Sequence, residues 1–280
     1  MNTDSTIVIV GAGLAGTEAA FALRDGGHEG RIVMIGREAW PPYDRPPLSK
    51  SFLKGELPRD RLWLRPAKSY ADEQIELQLC AEVVSIDRTE RRVCLNTGTT
   101  LDYGKLLLAT GGEARRLTIP GADLDGVCEL KSLDDADRLR AGLLEGRSVV
   151  VIGGGYVGME FAATACQAGC KVTVLESQAR VLSRSLSATV AQYLQAEYAN
   201  RGVRILTGAS VTRIEGEGRV DAVWLKDGTR LPADVVLVSV GNQASDALAR
   251  NDGLQVDRGI VVDREGRTND PHVFAAGDCT

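Results

Sequence analysis

The 280-residue chain has little of several things, beginning with histidine: only His28 and His272 are present, alongside six cysteines with no C-x-x-C pair. A zinc site therefore lacks its usual ligand set, and six thiols in a chain this long do not form a disulfide scaffold. They read as reduced thiols packed as small hydrophobes, with Cys166 and Cys170 expected on one side of a helix. Basic residues (33) do not outnumber acidic ones (38), and at a net charge of −5 the two signs are mixed along the chain. That balance argues against a nucleic-acid stripe or a polybasic membrane anchor. No apolar run approaches the ~20 residues of a spanning helix. The opening MNTDSTIVIVGAG has no positive segment and only four consecutive apolar residues, so it reads neither as a signal peptide nor as an anchor. A cytoplasmic enzyme of two domains is the expectation, because single cores stop growing at about 250–300 residues.

Glycine is plentiful, at 31 residues, and its clustering carries the argument. In STIVIVGAGLAGTEAAFALRDGG a continuous apolar strand, Ile7 to Val10, runs into a glycine turn and then into apolar residues at helical spacing. RIVMIG follows as a second strand and leads to Glu38. The same order returns in RSVVVIGGGYVGMEFAATACQAGCKVTVLE, where Gly153 stands 142 positions after Gly11 and the second strand leads to Glu176. In each unit the first glycine (Gly11, Gly153) allows the tight turn. The second (Gly13, Gly155) lets backbone approach a pyrophosphate, and the third (Gly16, Gly158) lets helix pack on strand. Free N–H groups at the helix start attract phosphate. Glu38, 22 residues past Gly16, and Glu176, 18 past Gly158, stand near the ~20-residue spacing expected of a carboxylate that accepts from a ribose hydroxyl. A lone G-x-G-x-x-G serves packing often enough to be weak evidence; two in full strand-turn-helix-strand-acid context are strong. At Glu176 a carboxylate disfavours a 2′-phosphate, so NADH is expected over NADPH, while Arg180 and Arg184 could attract one or clamp the adenine or pyrophosphate.

Between and after these units, period-two stretches such as VVSID and RRVCL around Asn96-Thr97-Gly98, and those flanking Asp227-Gly228, predict a small antiparallel insertion in each domain. Buried closing strands follow, Lys105 to Ala109 and Val235 to Val240. The fold class expected is α/β: two Rossmann-like, three-layer ββα nucleotide-binding domains of glutathione-reductase type.

Taken in order, GAGLAG, PPYDRPPLSK, LLLATGG, GGGYVGMEFAATA, LPADVVLVSVG and VFAAGDC resemble the FAD-dependent ferredoxin reductases that serve Rieske oxygenases and bacterial cytochromes P450, and the related rubredoxin reductases. The resemblance covers essentially the whole chain. It implies an NADH:ferredoxin oxidoreductase in which residues 1–113 and 242–280 bind FAD and 114–241 bind NADH. It places Gly11, Gly13, Gly16 and Glu38 on FAD, with Arg45, Lys50, Thr110, Gly111, Lys131 and Asp278 around the same cofactor. Lys131 stands where the family usually has arginine, keeping the charge without the planar fork. It places Gly153, Gly155, Gly158, Glu176 and Arg184 on NADH, with Glu160 and Gly241 beside the nicotinamide. Lys50 and Glu160 are the candidate catalytic residues, and the two prolines before Lys50 suggest a rigid, extended approach. Disulfide reductases of the wider superfamily carry C-x-x-C or C-x4-C, and neither is present. Electrons are therefore expected to leave the flavin directly, for a small iron–sulfur acceptor of ferredoxin type.

The resembled proteins continue past GDC with the rest of the FAD domain and an interface domain, so a C-terminally incomplete FAD domain is expected, with the flavin more exposed. Two other readings stay open: an NADH oxidase or a rubredoxin or nitrite reductase relative, and a non-catalytic module like the apoptosis-inducing-factor relatives or an inactive truncated fragment. Arg59, Arg61, Arg65 and Lys68 in RDRLWLRPAKSY are either a solvated face or a docking patch for an acidic partner.

Overall fold

Strands as short and apolar as IVIV, IVMI and SVVVI exclude water on both faces, which calls for parallel sheets covered on each side. The computed structural model, which describes residues 5–280, has this arrangement twice. In one unit the sheet order is Val273–Ala275, Lys105–Leu108, Ile7–Val10, Ile32–Ile35, Ile75–Gln78, every neighbour parallel. In the other it is Arg204–Thr207, Lys171–Glu176, Ser148–Ile152, Val235–Val238, Val127–Cys128, again all parallel. Val8, Ile9, Val149 and Val151 expose nothing to solvent.

Each unit also carries a three-stranded antiparallel insertion: Val83–Asp87, Arg92–Leu95 and Thr100–Asp102 in the first, Val211–Glu215, Ala222–Leu225 and Arg230–Pro232 in the second. Each insertion has an irregularity at the same place in its first strand, between Val83 and Ser85 and between Val211 and Arg213. The internal repeat thus extends to the detail of a bulge.

The first compact unit contains residues up to Asp44, Asp60–Glu113 and Gln243–Thr280, and the second contains Arg45–Arg59 and Ala114–Asn242. Residues 45–59, expected with the first domain, pack with the second. Leu53 is buried in the cluster that contains Leu139, Phe161 and Ala165, and Arg59 pairs with Asp137 at 2.6 Å.

Two local expectations are corrected. The helix Tyr156–Gln167 contains Cys166 but not Cys170, which lies beyond the turn at Gly169 (φ +82°), so the pair does not share a helix face. Pro46–Ser49 is a 3-10 turn rather than an extended approach. Its prolines take the first two helical positions, where a missing N–H costs nothing. A feature with no sequence signature fastens the end of the helix Leu14–Asp25. The Arg24 guanidinium donates to the carbonyls of His28, Gly30, Glu73 and Gln74 at 2.5–2.9 Å, tying that helix end to the turn before the edge strand.

Candidate functional site

In each sheet the strand that ends at a glycine turn, Ile7–Val10 or Ser148–Ile152, lies between the strand that directly follows it in the chain and one that returns later on its other side, and the crevice at its carboxyl end is where open α/β sheets take ligands. Gly11 and Gly153 stand at these ends, with φ of +120° and +112°. A Cβ on Gly11 would lie 2.0 Å from the Ala109 carbonyl oxygen, and one on Gly153 would lie 2.2 Å from that of Ser239. One turn on, a Cβ on Gly16 would lie 2.1 Å from the Gly11 oxygen, and one on Gly158 would lie 2.2 Å from the Gly153 oxygen. These four positions admit only glycine for reasons of packing. Gly13 and Gly155 differ: a Cβ there meets nothing within 4 Å. Open space therefore lies over the backbone at the two places where the fold itself does not require glycine.

Gly13 and Gly155 are also the N-caps of the helices Leu14–Asp25 and Tyr156–Gln167, and no side chain caps either helix. By contrast, Ser132 and Ser187 accept from Asp135 N–H and Val190 N–H at the starts of Leu133–Gly142 and Ala188–Asn200. The first N–H groups of a helix need an acceptor, and together with the helix dipole they favour a negatively charged one. The two glycine turns can each receive an anionic oxygen without any rearrangement of side chains.

The acids at the second strands are held differently in the two units. Glu176 accepts the N–H of Gly154 through Oε2 and that of Gln178 through Oε1, both at 2.8 Å. Its carboxylate therefore braces the glycine turn. Glu38 accepts from the Tyr43 hydroxyl at 2.5 Å, so Tyr43, buried in the quoted PPYDR run, orients the carboxylate. Arg184 is exposed, whereas Arg180 is half-buried and donates to the Ser183 carbonyl at 3.3 Å.

Thr110 and Gly111 follow the strand Lys105–Leu108 at the crevice. Thr110 donates to the Ser245 carbonyl at 2.7 Å, and the Ser245 N–H donates to Gly111 at 2.9 Å. Asp278 is exposed; its neighbour Gly277 (φ +88°) packs so near the first helix that a Cβ would come within 3.0 Å of the Ala15 methyl. That contact sets the terminal Gly-Asp beside the turn at Gly11–Gly13. In the second unit Gly241 is exposed at φ +116°, past the end of Val235–Val238.

Lys50 and Glu160, 110 positions apart in sequence, form an ion pair of 2.7 Å in the second unit. The same Glu160 oxygen accepts from the buried Ser49 hydroxyl at 2.7 Å. Arg45 donates to the Lys131 carbonyl, bringing those two residues together as well. Sequence reasoning singled out Lys50 and passed over Ser49 and Tyr43, although both lie in the same quoted run. Only the pairing in space distinguishes them from loop polarity. In the basic stretch Arg59 is paired with Asp137, and Arg65 is paired with Glu18 at 3.2 Å and lies over the Phe21 ring at 5.4 Å, while Arg61 and Lys68 are exposed. Half of that patch's charge is thus already engaged. The described residues contain no group of three or more histidine, cysteine or acidic side chains able to hold a metal, and no helix among them is long and apolar enough to cross a membrane.

Comparison with known proteins agrees with this arrangement. The chain is 45% identical over 273 residues to the biphenyl dioxygenase system ferredoxin–NAD(+) reductase component of Paraburkholderia xenovorans LB400, spanning 98% of this chain and 67% of that one. It is 42% identical to a rubredoxin–NAD(+) reductase of Pseudomonas putida over 98% of this chain and 71% of the relative. Among solved structures, the covalent putidaredoxin reductase–putidaredoxin complex superposes with a TM-score of 0.96 at 41% identity, covering 99% of this chain and 68% of that one. The profile of the pyridine nucleotide-disulphide oxidoreductases matches residues 5–280, and the chain belongs to that family.

Proposed function

We propose that the protein is an FAD-dependent oxidoreductase that takes a hydride from NADH and delivers electrons singly to a small iron–sulfur protein of ferredoxin type. The observation that carries this reading is the contrast within each glycine turn. Outer glycines are filled in by backbone, and the middle one, Gly13 or Gly155, opens on space at an uncapped helix start. That shape fits a pyrophosphate in each unit, hence two dinucleotides. FAD supplies the chemistry that the side chains lack, accepting two electrons as hydride and releasing them one at a time.

The chain's own residues bind and orient. In this reading Gly11, Gly13, Gly16 and Glu38 hold the FAD pyrophosphate and adenosine ribose, Thr110 and Gly111 line the ring, and Asp278 meets the ribityl side. Gly153, Gly155, Gly158 and Glu176 hold NADH, with Arg184 at its adenosine end and Gly241 beside the nicotinamide. Glu176, pinned by two backbone N–H groups, cannot turn away from a 2′-phosphate, which supports NADH over NADPH. Lys50 supplies a cation that favours reduced flavin, Glu160 fixes that cation, and Arg45 with Lys131 adds positive charge to the same segment. A cytoplasmic location belongs to the same proposal and is supported by six free cysteines.

The acceptor class rests on relatives above 40% identity that are named for ferredoxin, rubredoxin or putidaredoxin. The test is reconstitution with FAD, anaerobic NADH titration, and then a panel of acceptors. Flavin absorption should bleach at about one NADH per FAD and recover fastest with a small iron–sulfur protein. FAD binding without bleaching would point to a non-catalytic module, and fastest recovery with dioxygen would point to an NADH oxidase.

A further inference from the structure

The half-exposed pair Lys50–Glu160 sits on two buried hydroxyls that the reaction itself does not call for. The Lys50 and Glu160 side chains keep 50% and 32% of their exposure, and an ion pair so open to water has little hold on its own geometry. Beneath it, Ser49 and Thr164 are only 6% and 4% exposed. The Ser49 hydroxyl donates to Glu160 Oε2 at 2.7 Å, the same oxygen that takes the Lys50 ammonium. The Thr164 hydroxyl donates to the Ser49 carbonyl at 3.0 Å. In a helix interior threonine ordinarily bonds back to the carbonyl four residues earlier, which here belongs to Glu160. In this helix it reaches outward instead and ties the 3-10 turn Pro46–Ser49 to the helix face that carries Glu160.

We infer that Ser49 and Thr164 are positioning residues, a two-hydroxyl clamp that sets the Glu160 carboxylate and through it the direction of the Lys50 ammonium. The inference rests on the oxidoreductase reading for its functional meaning, but the clamp is testable without it. Ser49 is held at both ends, by its hydroxyl and by its carbonyl, so loss of either bond loosens the hold on Glu160 while the buried Leu48, Phe52 and Leu53 keep the turn folded. Were the hydroxyls only satisfying buried polar groups, their removal would lower stability and leave Lys50 unchanged.

The test uses the full chain loaded with FAD, with variants Ser49→Ala, Thr164→Val and the hydroxyl-retaining Thr164→Ser. Reductive methylation of lysines, followed by peptide mass spectrometry, reads Lys50 against the exposed Lys54 as an internal standard. Lys50 should be labelled several-fold more slowly than Lys54 in the native protein and in Thr164→Ser, and should approach the Lys54 rate in Ser49→Ala and Thr164→Val. In the same two variants the rate of flavin bleaching by saturating NADH should fall about tenfold, with the NADH dependence little changed. Native labelling and native bleaching in both hydroxyl-deleted variants would overturn the inference, as would lower stability with labelling unchanged. If NADH fails to bleach the native protein while the labelling pattern holds, the oxidoreductase reading falls and the clamp stands.

Discussion

Replacing single glycines within one turn separates what the fold requires from what the ligand requires. In Gly16→Ala the new methyl would stand 2.1 Å from the Gly11 carbonyl oxygen, a backbone atom that cannot swing aside. Overpacking of this kind costs ~1–3 kcal/mol when neighbours can adjust, and against backbone we expect about 3 kcal/mol or more. For a protein of this size that is a fall in Tm of roughly 10 °C. In Gly13→Ala the methyl meets nothing, and the backbone there (φ −106°, ψ −165°) suits any residue. The loss of glycine at an N-cap costs up to ~1 kcal/mol, and the lower entropy of the unfolded chain returns about 0.4–1 kcal/mol. The Tm of FAD-free protein should therefore move by less than about 2 °C. FAD binding should suffer greatly, because the methyl occupies the space through which the helix N–H groups reach phosphate. Losing two such charge-assisted bonds corresponds to at least a hundredfold in affinity, at ~1.5–3 kcal/mol each. Calorimetry on the FAD-free variants and fluorescence titration with FAD measure the two quantities separately. Gly155→Ala should repeat the pattern for NADH and leave FAD affinity unchanged. If Gly13→Ala binds FAD as the native protein does, or melts as early as Gly16→Ala, the assignment of the open space to a ligand is wrong.

Glu176→Ala should weaken NADH binding and also destabilise NADH-free protein by roughly 1–3 kcal/mol in urea titration, since two backbone N–H groups lose their acceptor; unaltered stability would show that the brace is unimportant. Arg24→Ala should cost roughly 1.5–3 kcal/mol by the same measurement and leave both nucleotide affinities unchanged, because its four carbonyl partners lie at the far end of the helix from Gly13. At Asp270 burial alone would raise the carboxyl pKa, but the His272 N–H and the Arg88 guanidinium more than offset it and hold it below the ordinary aspartate value. Its contribution is present above the unfolded-state value and lost as pH falls through the folded one, so Asp270→Asn should flatten the acid limb of the stability curve below about pH 4. Burial, helped by the Asp270 charge, pushes the Tyr103 phenol up to about 12. Stability should fall as pH rises from 10 toward 12, and in Tyr103→Phe that alkaline loss should be smaller in pH-dependent melts, the remainder coming from the phenols of Tyr70 and Tyr198, which burial also raises.

How far the sequence could be read differs from element to element. The strand at Ile7–Val10 and its twin at Ser148–Ile152 were legible because apolar runs stop at glycine and helical spacing begins at once, a local pattern that needs no tertiary information. The 3-10 turn at Pro46–Ser49 was misread as extended because proline before proline suits both states, and burial of Leu48 within it and of Phe52 and Leu53 just after it decides between them. Cys170 was misread for a similar reason. Helical spacing continues in the letters through Gly169, but the positive φ of that glycine ends the helix.

Sequence alone determined the duplicated α/β architecture and the glycine turns, because periodicity, strand length and backbone freedom are properties of neighbouring residues. Tertiary structure decided which glycines are packing and which are openings, since that depends on where Ala109 and Ser239 place their carbonyls. It also decided that residues 45–59 travel with the second unit and that Ser49, Lys50, Glu160 and Thr164 converge. Contacts between residues more than a hundred positions apart leave no local pattern, and only the folded chain brings those side chains within bonding distance.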